Sequence, residues 1–223
     1  TALADFSRPR QTGVNAITIN EGDQLLEAKL TGGDCEIMMA VNSGRAIRFP
    51  ETKVRATGRG AIGVFGIEAE NEAEEVVGMI CVNPSTPERT VLVVSEKGYG
   101  KRTSVEEYRI TNRGGKGVKT INVTDKTGKL VGIMDVAEQE DLIITCKSGI
   151  TIRMKVANIT EQGRATQGVK LIRIDEGDEI AAITRINLPQ AIEAIIEEEG
   201  TESSNEATNT DGTASEEENN IPS

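Results

Sequence analysis

NRGGKGVKTI, residues 112–121, sets Arg113 and Lys116 among three glycines just ahead of an apolar, β-branched run. Taken alone, it reads equally as a phosphate-gripping loop, a cofactor fingerprint or a turn between strands. Recurrence decides. Gly13, Gly63, Gly117 and Gly168 are each followed by Val, at spacings of 50, 54 and 51 residues. Three of them carry an Arg four residues earlier, in RGAIGV (Arg59), RGGKGV (Arg113) and RATQGV (Arg164). In the first copy, RPRQTGV, Pro9 holds that place between Arg8 and Arg10. A second landmark follows each of the first three glycines: NSGRAIRF (Gly44), EKGYGKRT (Gly98) and KSGITIRM (Gly149). A third is an acidic turn, INEGDQL, TDKTGKL and IDEGDEI, which lacks its Gly in the copy AENEAEEV.

Between these marks lie short runs rich in Val, Ile, Leu and Thr: QLLEAKL, EIMMAVN, VVGMICV, TVLVVSE, LVGIMDV, DLIITCK, ITIRMKV, VKLIRI and IAAITRI. Their length, β-branching and flanking turns predict strands, several buried on both faces. A period near fifty with about four strands per unit suggests the blades of a radial β-architecture. No useful helical periodicity appears before residue 189, so the body, residues 1–186, is expected to be all-β. Beyond it, LPQAIEAIIEEEG aligns Ile192, Ile195 and Ile196 on one helical face between Pro189 and Gly200, the pattern of a short helix.

The net charge of -11 averages two regions. Ten acidic and no basic residues follow Asn187, which leaves the body with 26 acidic and 25 basic side chains. The acidic segment, residues 187–223, has little apolar surface to offset chain entropy and is expected to be largely disordered. The chain contains no His, and its three cysteines, Cys35, Cys81 and Cys146, are far apart in apolar runs. That reads as buried, unpaired thiols in a reducing compartment and sets metal and redox chemistry aside. No apolar run of membrane-spanning length and no signal-like N-terminus is present. The first residue is Thr, which suggests an excerpt of a longer protein.

Two motif matches fail on context. GRGAIG, residues 58–63, fits G-x-G-x-x-G but lacks the strand-turn-helix layout, and its repeat partners do not fit. GGKG lacks the Walker A spacing. No carboxylate pair or nucleophile constellation stands out. Charge, however, is segregated within each unit. Residues 44–60 hold Arg45, Arg48, Lys53, Arg55 and Arg59 against Glu51 alone. Residues 97–119 hold Lys97, Lys101, Arg102, Arg109, Arg113, Lys116 and Lys119 against Glu106 and Glu107. Residues 147–170 hold Lys147, Arg153, Lys155, Arg164 and Lys170 against Glu161. Any one of these suits a solvated strand edge, where cations discourage edge pairing. The same bias at one phase of three repeats points to a polyanion surface. The only aromatics, Phe6, Phe49, Phe65, Tyr99 and Tyr108, are too few for single-strand stacking platforms, so duplex DNA gripped by its phosphates fits better. Arg113 and Lys116 are the leading candidates for contact, with the glycines allowing close backbone approach.

The linked order of NSGRAIRFPETKVRATGRGAIGVFGI, EKGYGKRTSVEEYRITNRGGKGVKTI and GITIRMKVANITEQGRATQGVKLIRI resembles the C-terminal domain family of DNA gyrase A, over roughly residues 1–186. The resemblance implies a β-pinwheel, a propeller-like disc that bends duplex DNA around a basic rim and so makes supercoiling negative. It also implies gyrase B and the rest of gyrase A as partners in an A2B2 assembly, in the cytoplasm at the nucleoid. This segment would carry no cofactor, since the ATP and magnesium sites and the cleavage tyrosine of the intact enzyme belong to other parts. DNA would contact Arg8, Arg10, Arg45, Arg48, Arg55, Arg59, Lys97, Lys101, Arg102, Arg109, Arg113, Lys116, Lys119, Arg153, Lys155, Arg164 and Lys170. The family's hallmark box, Q-R-R-G-G-K-G, is absent, and NRGGKG is its nearest relative here. About three and a half units are therefore expected, from the later part of a pinwheel. The equivalent domain of topoisomerase IV, and a propeller-like protein-interaction scaffold, remain alternatives at this point.

Overall fold

The computed structural model describes residues 1–86 and 88–186, so the helix and the acidic segment expected beyond residue 186 lie outside the described residues. Eleven strands are present among them: β1 (Glu36–Val41), β2 (Arg45–Pro50), β3 (Val76–Val82), β4 (Thr90–Ser95), β5 (Tyr99–Ser104), β6 (Val118–Lys119), β7 (Leu130–Val136), β8 (Asp141–Cys146), β9 (Thr151–Lys155), β10 (Val169–Lys170) and β11 (Ile180–Ile186). They form three antiparallel sheets, in the orders β3-β1-β2-β6, β10-β5-β4-β7 and β11-β8-β9.

Each sheet is built on a tight hairpin, β1–β2, β4–β5 or β8–β9. The chain leaves each hairpin through one 3-10 turn, Glu51–Lys53, Val105–Glu107 or Val156–Asn158. It then runs as an irregular strap to the next Gly-Val pair, turns, and returns as a seven-residue strand, β3, β7 or β11, against the first strand of its own hairpin. The two residues after the strap glycine do something else. Val118–Lys119 pairs with β2, and Val169–Lys170 with β5, each completing the sheet of the preceding repeat. Neighbouring units are therefore interlocked through backbone hydrogen bonds as well as packed.

Alternation along the strands explains the two cores. On β4, Val91 and Val93 face Met38, Ala40 and Ile80 of the first sheet, while Leu92 and Val94 face Leu142, Ile144 and Cys146 of the third. A sheet covered on both sides needs the unbroken apolar run TVLVV rather than alternating polarity. Ile37, Val41, Ile47, Phe49 and Ile67 form a third cluster on the far face of the first sheet.

The all-β reading and the four-stranded unit agree with this architecture. Three details differ from the sequence expectations. RAIRFP and YGKRTS are strands β2 and β5, although their internal cations disguise them as turns. QLLEAKL, residues 24–30, has strand-like composition yet forms no ladder, and Leu25, Leu26 and Leu30 are exposed. By its place in the repeat it corresponds to β3, β7 and β11, and the strands those pair with, β1, β4 and β8, are each already flanked on both sides. VKLIRI supplies only the two residues of β10. Cys146 is buried as expected, whereas Cys35 and Cys81 are only half-buried, and all three are free thiols.

Candidate nucleic-acid interface

The glycines of the Gly-Val pairs sit where chain meets chain. Gly117 and Gly168 have φ of 70° and 80°, and a Cβ on them would lie 2.5 Å from the Ala46 carbonyl oxygen and 2.6 Å from that of Gly100. Only glycine permits both that torsion and that approach. Gly13 and Gly63 share the left-handed torsion, but a Cβ there would meet nothing within 4 Å, because among the described residues no hairpin of a preceding repeat lies beside these glycines.

Successive straps are joined by one hydrogen bond repeated at the same phase. Thr18 N–H donates to Ala61 (3.1 Å), Glu68 N–H to Gly115 (3.0 Å) and Asn122 N–H to Thr166 (3.0 Å). The arginine four residues before the glycine strengthens the join. Arg113 donates through Nη1 to the Phe65 carbonyl (3.0 Å) and through Nε to that of Lys53 (3.1 Å). Arg164 donates through Nη1 to the Lys119 carbonyl (2.9 Å), the same position in its neighbour. Arg59, the third of the set, lies over the Phe6 ring at 5.8 Å instead. The Arg and Gly that set the sequence period thus fasten one repeat to the next.

Three of the cations proposed for the rim are interior residues. Arg48 and Arg102 occupy equivalent places on β2 and β5 and reach into the following strap. Arg48 donates to the Val105 and Tyr108 carbonyls (2.8 and 3.1 Å) and pairs with Glu36, while Arg102 donates to the Ile159 carbonyl (2.7 Å). Arg48 is 7% exposed, Arg102 9% and Lys101 not at all. Burial places them beyond the reach of a phosphate, and they are corrected here from candidate contacts to clamps between units. Arg153, the third equivalent, stays exposed and pairs with Asp141.

Lys101 hydrogen-bonds the Gly163 carbonyl and Thr166 Oγ1 across the strap that carries Arg164. Burial, and secondarily Arg164, pull its ammonium down to about 8, against a partial rise from Glu107. The folded value lies below the unfolded 10.5, so the unfolded chain holds this proton more tightly. The cost of burying the charge is then fully present below pH 8 and is relieved as pH rises from about 8 to 10.5. Ile47 and Ile152 fill the matching positions on β2 and β9. We expect Lys101→Ile to fold and to remove this rise, so that wild type gains on the variant in urea midpoint between pH 7 and pH 10. A constant gap would contradict the assignment.

What remains outside is a series of cations on the straps. Arg55, Arg109, Lys116, Lys119 and Lys170 are exposed, and none is in an ion pair among the described residues. Lys155, Lys97, Arg8 and Arg10 are also exposed. Arg109 and Lys116 line one groove with Thr111, Asn112 and Gly117, and Arg8 and Arg10 line another with Arg59, Gly13 and Gly60. Arg45 is engaged by Glu70 and by the Lys116 carbonyl, which leaves it less charge to offer. Arg113 and Arg164 are half-buried. Lys53, counted in the basic bias but not among the expected contacts, and Lys126 are also exposed, the latter 5.4 Å from the Tyr99 ring centroid.

Comparison with known proteins matches residues 1–31, 36–83, 89–137 and 140–187 to the family model described as the DNA gyrase C-terminal domain, beta-propeller. The four matched stretches coincide with the repeat units. The chain belongs to the DNA gyrase C-terminal domain family. Among curated proteins it is similar to the DNA gyrase A protein of Staphylococcus aureus, 40% identical over 221 residues. That match takes in 96% of this chain and 25% of the relative, so the chain spans about a quarter of the curated relatives it matches. A solved gyrase A C-terminal domain superposes with a TM-score of 0.71 at 26% identity, over 79% of this chain and 59% of that one. The C-terminal domain of DNA topoisomerase IV superposes at 0.76 with 18% identity, over 82% of this chain and 56% of that one, a likeness of fold alone.

Proposed function

We propose that this chain binds duplex DNA by its phosphates along the row of straps and bends it, as the wrapping segment of a DNA gyrase. The carrying observation is the exposed cations at repeated strap positions, Lys119 and Lys170 two residues after the glycine and Arg55 and Arg109 eight before it. Because each strap is hydrogen-bonded to the next at one phase, equivalent positions follow one another along an edge, and cations there face a polyanion in series. Membership of the gyrase family and the 40% identity to a gyrase A protein support gyrase over topoisomerase IV.

In this reading the intact assembly is a type IIA topoisomerase that uses ATP and magnesium at sites elsewhere. The chain works there with gyrase B and the rest of gyrase A as A2B2, in the cytoplasm on nucleoid DNA. Among the described residues no helix is long and apolar enough to cross a membrane. Titrating a 40-base-pair duplex at two ionic strengths tests the reading. Affinity that falls steeply with salt and is equal for unrelated base sequences supports it. Absence of salt-sensitive binding would favour the protein-interaction scaffold.

A further inference from the structure

Phe65 occupies the strap position two residues after Gly63, the position held by Lys119 and Lys170 in the next two repeats. It is 84% exposed, the most exposed of the large apolar side chains among the described residues. The position faces outward even where a hairpin lies beside the strap. Lys119 and Lys170 are each paired with a neighbouring sheet, opposite Arg45 and Tyr99, and their side chains still point to solvent. In β6 and β10 strand alternation leaves the preceding valine half-buried and turns this position outward. The Phe65 carbonyl accepts the Arg113 guanidinium, which also holds the Lys53 carbonyl. A phenyl ring therefore stands in the row of outward cations, with a guanidinium fixed beside it.

A partner that only offered phosphates would leave this ring in water. Duplex DNA offers apolar surface as well, in its sugars and, where a base step opens, in the faces of the bases. We propose that Phe65 is a DNA-contacting wedge, pressed into the minor groove against a base step while the exposed strap cations hold the flanking phosphates. Apolar side chains act in this way in proteins that kink DNA, and pyrimidine–purine steps open most easily. The rim would then prefer, among equally charged sites, those with a TA or CA step facing Phe65. This inference rests on the DNA-binding reading above.

The test uses the full chain and a 40-base-pair duplex with 2-aminopurine beside a central TA step. Wild type is expected to raise the probe's fluorescence on binding, as unstacking does. Phe65→Ala should abolish that rise and weaken binding about tenfold, with the salt slope unchanged because the same phosphates stay neutralised. Phe65→Leu should restore part of the signal. The ring is exposed, so thermal unfolding should be the same in all three proteins. Salt-dependent binding with no fluorescence change, or with the same change in Phe65→Ala, would overturn the wedge and leave DNA binding standing. Failure of wild type to bind duplex in a salt-dependent way would instead remove the reading on which the wedge rests.

Discussion

Arg48→Ala is expected to cost about 3–5 kcal/mol of stability, the range for removing one partner of a buried ion pair. The substitution strands the Glu36 carboxylate, whose side chain is 12% exposed, and leaves the Val105 and Tyr108 carbonyls without their shared donor. Those carbonyls belong to the second repeat and Arg48 to the first, so the loss falls on the join between units. Arg102→Ala breaks the matching clamp one repeat later but strands only the Ile159 carbonyl, since Glu138 is exposed and 3.7 Å away. Its cost should be smaller, about 1–3 kcal/mol. Arg55→Ala, on the exposed face of a strap, should stay within about 0.5 kcal/mol. Urea unfolding of the three variants gives the order directly, and equal costs for Arg48 and Arg55 would refute the clamp.

Four glycines with the same torsion provide the second large effect. Alanine at any of them meets the left-handed penalty of roughly 1–2 kcal/mol. At Gly117 and Gly168 the new methyl also meets a backbone carbonyl at 2.5 and 2.6 Å. Backbone on both sides leaves no flexible tip to move aside, which adds roughly 1–3 kcal/mol of overpacking. We therefore expect Gly117→Ala and Gly168→Ala to cost about 2–5 kcal/mol, and Gly13→Ala and Gly63→Ala only the torsional part. If all four cost the same, the strap glycines are turn residues and not points where units meet.

The period, the strand composition and the family were legible in the sequence because each rests on local letters repeated at fixed spacing. The work done by Arg113 and Arg164 was not. Their acceptors are the carbonyls of Phe65 and Lys119, 48 and 45 residues away, and a backbone oxygen leaves no mark in the side-chain alphabet. The same holds for Arg48 and Arg102, which read as surface charge because burial of a cation is set by carbonyls of the next repeat. Residues 24–30 mislead in the opposite sense, since strand composition shows a segment fit for a sheet and not whether a free edge exists. Phe65 became a candidate only once the repeat register showed which way its side chain points.

The central claim is a division of labour: arginines and glycines at the repeat marks join the units, and the exposed strap cations hold DNA by its phosphates. The most direct measurement is the salt dependence of duplex binding by the full chain carrying Arg109→Ala, Lys116→Ala, Lys119→Ala and Lys170→Ala together, compared with wild type. The account predicts unchanged urea unfolding, weaker binding to every duplex alike, and a shallower slope of log K against log salt. The slope should fall by about 0.9 for each phosphate that is no longer neutralised. A slope identical to wild type, or weakening confined to particular base sequences, would contradict it.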